Sequence, residues 1–139
     1  MRIFVDCEFN GFGGELISMA LVAADGAEWY EVKSIPSVLD PWVAANVIPI
    51  LGKEPIGQAE WRESLHAFLL DYDNPTIVAD WYTDLVHFFA SMAGPDHTMS
   101  LSYACRAELI LLDKYDSQTP HNALSDARAI RMALVKEAA

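Results

Sequence analysis

Apolar and polar positions divide the chain into blocks of two different periods. Arg2 to Glu8 is β-branched and aromatic, and Asn10, Gly11, Gly13 and Gly14 break the run. Glu15 to Ala23 (ELISMALVA) is a second apolar run that stops at the turn signal Asp25-Gly26, and Glu28 to Val32 alternates around Trp29 and Tyr30. Three such runs joined by short glycine-bearing turns predict an antiparallel meander. Pro36, Pro41, Pro49 and Pro55 then punctuate a segment with one predicted short helix, about Asp40 to Asn46. From Gln58 to Tyr72 the residues Trp61, Leu65, Phe68 and Leu69 fall at helical spacing. Pro75 to Ala79 reads as a short strand, Tyr82 to Met92 as a helix stopped by Gly94-Pro95, and Thr98 to Leu101 as a fifth strand. Tyr103 to Tyr115 and Ala123 to Lys136 read as two further helices, separated by the Gln118-Thr119-Pro120 loop. Strands first, then helices and strands in alternation, predict one domain over residues 1–139. Its fold class is α/β, with a mixed five-stranded sheet and helices on both faces.

Composition narrows the chemistry. The 139 residues are 53% hydrophobic and 21% charged, which describes a globular chain and excludes disorder. Twenty acidic against nine basic residues give a net charge of −11, which excludes a nucleic-acid binder held by a basic surface. It leaves open an enzyme that reaches phosphate through bound metal ions. No apolar run approaches the roughly 20 residues of a membrane helix, and Arg2 is followed by strand-like sequence, so neither a membrane span nor a signal peptide is expected. Cys7 and Cys105 suit a reduced, cytoplasmic setting without a disulfide framework.

Three acidic features stand out. In the first strand, Asp6 and Glu8 are two residues apart and therefore share a face, on a run otherwise made of Ile, Phe and Val. Carboxylates this close repel, and a divalent cation such as Mg²⁺ or Mn²⁺ removes the objection. In His121-Asn122-Ala123-Leu124-Ser125-Asp126, a spacing of five cannot put both side chains on one helical face. The helix therefore starts between them, leaving His121 on the entering loop and Asp126 in or near the first turn. Between the fourth strand and its helix, Asp80-Trp81-Tyr82-Thr83-Asp84 offers two aspartates where α/β folds place ligands. Asp84 suits a first helical turn facing a site, whereas Asp80 sits at the strand's end and suits a helix cap.

Asp6 and Glu8 in FVDCEFNG, Asp84 in VADWYTDLVHFF, and His121 and Asp126 in HNALSDARAIR together resemble the DEDDh group of 3′–5′ exonucleases. These are DnaQ-like members of the ribonuclease H fold. WYTD stands here in place of the longer Asn-x-x-Phe-Asp loop of most DnaQ-like proteins, so Asp80 remains the alternative to Asp84. Asp6 to Phe9, Glu15 to Ser18, and Trp81-Tyr82 before Asp84 resemble more closely the polyadenylate-specific 3′-exoribonucleases known as RNase AS.

The resemblance implies hydrolysis at two Mg²⁺ or Mn²⁺ ions roughly 4 Å apart. Asp6 would bridge the ions, Glu8 and Asp126 would hold the one that activates water, and Asp84 would support the other. His121 would be the general base, since an imidazole can take a proton and the loop position leaves it free to turn toward the attacking water. His66 and His87 lie in helical patterns and His97 in a turn, which makes them weaker choices. The implied substrate is the 3′ end of single-stranded RNA, with DNA as the alternative. Phe9, Phe12, Trp81 and Tyr82 are the aromatic residues available to stack bases, and Arg106, Arg128 and Arg131 the cations available to phosphate. The resemblance also implies a homodimer. Trp42, Val47, Ile48, Ile50 and Leu51, in a segment with little predicted structure to bury them, are placed in its contact. A non-catalytic acidic mimic of DNA is the reading from another class; the net charge favours it and the clustered motifs do not.

Overall fold

The structure is a computed structural model that describes residues 1–93 and 104–138. Strand β1 (Arg2–Phe9) pairs antiparallel with β2 (Leu16–Ala23), which pairs antiparallel with β3 (Glu28–Lys33). The first turn is tight. A Cβ on Gly14 would overlap the Asn10 carbonyl, and Gly11 and Gly13 have φ of +75° and +72°, a region that favours glycine.

Helix α1 (Pro41–Asn46) has Pro41 in its first turn, and the Asp40 carboxylate accepts from the Trp42 and Val43 amides at 2.9 and 3.2 Å. Asn10 ties this helix to the β1–β2 turn, accepting from the Asp40 amide and donating to the Val38 carbonyl. A 3₁₀ turn (Ile48–Ile50) and the two-residue strand β4 (Pro55–Ile56) follow, β4 lying parallel to β3. This corrects the expectation for the proline-punctuated segment. Val43, Val47 and Leu51 are buried against Ile17 and Val32, and Ile48 packs on them. Trp42 alone of the predicted contact residues is exposed.

Helix α2 (Gln58–Leu69) buries Trp61, Leu65 and Leu69 along one face, the spacing of one helical stripe. It leads to β5 (Thr76–Ala79), which lies parallel to β1, and then to α3 (Tyr82–Met92). Strand β6 (Arg106–Leu109) runs parallel to β5, and α4 (Ala123–Ala138) closes the fold. The sheet order is β4-β3-β2-β1-β5-β6. Two expectations are corrected: the sheet has six strands and not five, and the segment read as a helix over 103–115 carries β6. An apolar run such as Ala-Glu-Leu-Ile-Leu-Leu does not separate helix from strand by pattern alone. The free hydrogen-bonding edge of β5 decides it, with the Ala79 carbonyl accepting from Ile110 and the Pro75 carbonyl from Arg106. The strand expected over Thr98–Leu101 lies outside the described residues.

Helices cover both faces, as the pattern predicted, in an α/β fold of the ribonuclease H-like kind. Ile3, Val5 and Cys7 face α2 and α3, where Trp61, Leu65, Phe88 and Met92 complete the larger core. Trp29 meets Trp61 edge-on at 5.1 Å. Phe4 and Val78 face α4, against Ile130 and Leu134, while Ala20 and Val22 meet Ala123 and Ala127. The small residues let α4 lie close to the sheet. No helix among the described residues is long and apolar enough to cross a membrane.

Candidate metal centre

The alternation that buries Phe4 under α4 turns Asp6 and Glu8 to the same side of β1. Asp6 is buried and Glu8 half-buried. From the opposite side, α3 presents Asp84 on its buried face, one turn before Phe88. A carboxylate thus occupies a position that the helical stripe would give to an apolar residue. Asp80 directly follows β5, and Asp126 belongs to the first turns of α4.

Asn122 precedes α4. Its side-chain carbonyl accepts from the Ser125 amide at 3.1 Å, while its amide donates to the Ile50 carbonyl at 2.9 Å. One residue earlier His121 has φ +69°, so the chain reverses sharply and its amide donates to Asp126 Oδ2 at 3.1 Å. The expected helix start between His121 and Asp126 is therefore found. The His121 ring is exposed and meets Trp42 edge-on at 4.8 Å.

These carboxylates form two groups that share one member. Oxygens of Asp6, Glu8 and Asp126 lie within 4.8 Å of one another, and so do oxygens of Asp6, Asp80 and Asp84. Burial followed by the charges of Asp84, Glu8, Asp126 and Asp80 drives the Asp6 pKa well above the carboxylate range. Burial, then Asp126, pushes Glu8 up to about 8. Burial, then Asp80, pushes Asp84 up to about 8. Asp126 is also raised by burial, against the lowering effect of bonds from Ser117 and the His121 amide. Asp6 Oδ2 is buried with no hydrogen-bond partner among the described residues.

A hard divalent cation fits this donor set. It uses carboxylate oxygens, satisfies the orphaned oxygen and relieves the mutual repulsion. Asp6, Glu8 and Asp126 could hold one ion, and Asp6, Asp80 and Asp84 a second.

A cavity of about 380 Å³ opens beside Asp126 and His121, walled by Tyr115, Asp116, Ser117 and Pro120. Burial raises the Tyr115 hydroxyl pKa, with further contributions from Asp6, Asp80, Asp126 and Asp84. Nothing in the sequence pattern singles out Tyr115, which falls at the end of the helix expected over 103–115. Trp42, expected in a contact between subunits, lies against the loop histidine.

The other predicted residues are scattered around this centre. Phe9 is half-buried, its ring 5.1 Å from that of His87. Phe12 is 94% exposed on the glycine turn. Trp81 and Tyr82 are exposed beside Asp80 and touch each other at 5.3 Å. Arg106 pairs with Thr76, itself level with Arg2 at the start of β1, and so stands at the far end of the sheet from the carboxylates. Arg128 grips Glu28 at 2.6 and 2.7 Å, and Arg131 donates to the Ala23 and Ala24 carbonyls. Neither is free for phosphate.

Fold and centre together define an α/β protein whose central strand carries an acidic cluster suited to divalent ions. Its sequence is 35% identical over 101 residues to two curated proteins of Mycobacterium tuberculosis, from strains CDC 1551 / Oshkosh and ATCC 25618 / H37Rv. Each is named a 3′-5′ exoribonuclease. The similarity covers 70% of this chain and 57% of each relative. No protein-family model matches the chain.

Proposed function

We propose that the protein is a metal-dependent 3′–5′ exoribonuclease that releases nucleoside 5′-monophosphates from single-stranded RNA. The observation that carries this reading is the pair of carboxylate groups sharing Asp6, beside a histidine on the loop that enters α4. Both curated relatives bear the name of that activity.

Two divalent ions held by Asp6, Glu8, Asp126, Asp84 and Asp80 would supply Lewis acidity and ease ionisation of water. The residues of the chain do the rest. His121 accepts a proton from the water that attacks the terminal phosphodiester. The phosphorus–O3′ bond breaks, the shortened strand keeps a 3′-hydroxyl after protonation, and the last nucleotide leaves as a 5′-monophosphate. Asp126 holds the His121 backbone in place through its amide. Trp81, Tyr82 and Phe12 offer exposed rings for stacking single-stranded bases.

Release of 5′-monophosphates from 5′-labelled oligoribonucleotides in Mg²⁺ or Mn²⁺, stepwise from the 3′ end, tests the reading. Endonucleolytic products, or full activity in excess EDTA, contradict it. Parallel assays on single-stranded DNA decide between RNA and the DNA-directed alternative. The acidic-mimic reading is disfavoured because Asp6, Asp84 and Asp126 are buried and present little charge to a partner. The RNase AS resemblance also supports a cytoplasmic homodimer. Light scattering at micromolar concentration should give twice the chain mass, and a monomer counts against it.

A further inference from the structure

On the other face of the sheet from Glu8, a cleft of about 440 Å³ opens at the same end of the strands. Lys33 and His87 line it, together with Ser34, Gln58 and Glu15. The position follows from the register. Glu8 and Val32 both pair with Ser18, so they lie level on either side of β2. Strand spacing puts them about 10 Å apart, and Lys33 is the next residue. Phe9, next to Glu8, bridges the two places, its ring 5.1 Å from that of His87.

Lys33 lies with its ammonium 5.3 Å from the Trp61 ring centroid. No carboxylate among the described residues comes within ion-pairing distance of it; the exposed Glu15 acts on it only from further away. Burial lowers the pKa of Lys33, against the raising effect of the Glu15 charge, and burial followed by Lys33 lowers that of His87. Among the described residues Arg62, Arg106 and Lys114 also make no ion pair, but none of them lines the cleft. Arg2 pairs with Glu108, Lys53 with Glu31 and Arg128 with Glu28, while Arg131 is spent on carbonyls.

We propose that this cleft is a phosphate subsite, in which Lys33 and His87 receive a phosphodiester of the RNA strand on the 5′ side of the scissile bond. The inference rests on the exoribonuclease reading. A strand whose 3′ end reaches the carboxylates can pass over Phe9 into the cleft, whose volume suits about one nucleotide. In a chain of charge −11 an ammonium without an ion pair, lining the cleft at this end of the sheet, can offset phosphate repulsion there.

The test compares an octaribonucleotide with a dinucleotide, using Lys33→Met, which keeps the alkyl stem on Trp61 and removes the charge. The ratio of kcat/KM for the longer over the shorter substrate should fall about tenfold, and Lys33→Arg should restore most of it. The slope of log kcat/KM for the octamer against log salt should flatten by about one. An unchanged ratio overturns the subsite, as does equal loss on both substrates, which marks a structural role. Binding of a labelled octamer in Ca²⁺, followed by anisotropy, gives a second readout independent of turnover. Weakening by about tenfold in Lys33→Met supports the cleft even if RNA is not cleaved, in which case the exoribonuclease reading fails alone. If Lys33→Met weakens only free 5′-monophosphate, the ligand is the mononucleotide and the strand proposal is overturned.

Discussion

Asp84 and Asp80 flank Trp81-Tyr82, and both reach Asp6. Their surroundings differ. Asp84 is 3% exposed on the inner face of α3, whereas Asp80 is half-buried at the end of β5. The sequence placed the stronger claim on Asp84, and the structure adds Asp80 as its neighbour in the same group. Asp84→Asn should lower kcat by two to three orders of magnitude, the scale of losing one electrostatic stabiliser. Asp80→Asn should cost about tenfold. Single-turnover rates in saturating Mn²⁺ separate the two, and the reverse order would move the anchor of the site to Asp80. His121→Ala should reduce turnover about 10²-fold or more while calorimetric Mn²⁺ binding stays near wild type. Loss of metal binding in that variant would make His121 a ligand and not a base.

At the scale of elements, α4 depends on what precedes it. Asn122 caps the helix and at the same time anchors it to Ile50, so one side chain joins the α4 start to the segment that carries Trp42. Asn122→Ala should destabilise the fold by about 1–2 kcal/mol, the cost of a lost cap. It should also lower activity, because His121 and Asp126 are positioned by the same turn. Urea unfolding beside a rate assay checks this; unchanged stability removes the cap argument. The helices α1, α2, α3 and α4 and the strands β1, β2, β3 and β5 were legible from helical spacing or from apolar runs bounded by glycine, proline and turn signals. Strands β4 and β6 were not, being defined by the sheet edges they cover.

For the whole molecule, charge at the centre couples stability to pH. Glu8 and Asp84 have folded-state pKa values of about 8, above their ordinary carboxylate range. Without metal, the folded protein therefore holds more protons than the unfolded chain between about pH 4 and pH 8. Stability is greatest below that window and falls as pH rises through it. Scanning calorimetry of chelated protein should show Tm declining from pH 5 to pH 8. Mn²⁺ at pH 8 should raise it by at least ~4 °C, by binding the folded carboxylates. A metal-free Tm that rises across the window contradicts the proposed electrostatics.

The sequence by itself placed Asp6 and Glu8 on one strand face, Asp84 in a first helical turn, and a helix start between His121 and Asp126, because strand alternation and a helix start are local. A spacing of two sets a shared face, and a spacing of five sets a helix boundary. The tertiary structure decided everything that depends on long-range approach. It brought Asp80 and Tyr115 to the centre and turned Trp42 toward His121. It also spent Arg128 and Arg131 elsewhere, and left Lys33 unpaired in a cleft two strands away from Glu8. Local periodicity fixes which way a side chain points from its own element. Which groups then meet is settled only when the sheet order and the packing of α1, α3 and α4 bring distant segments together.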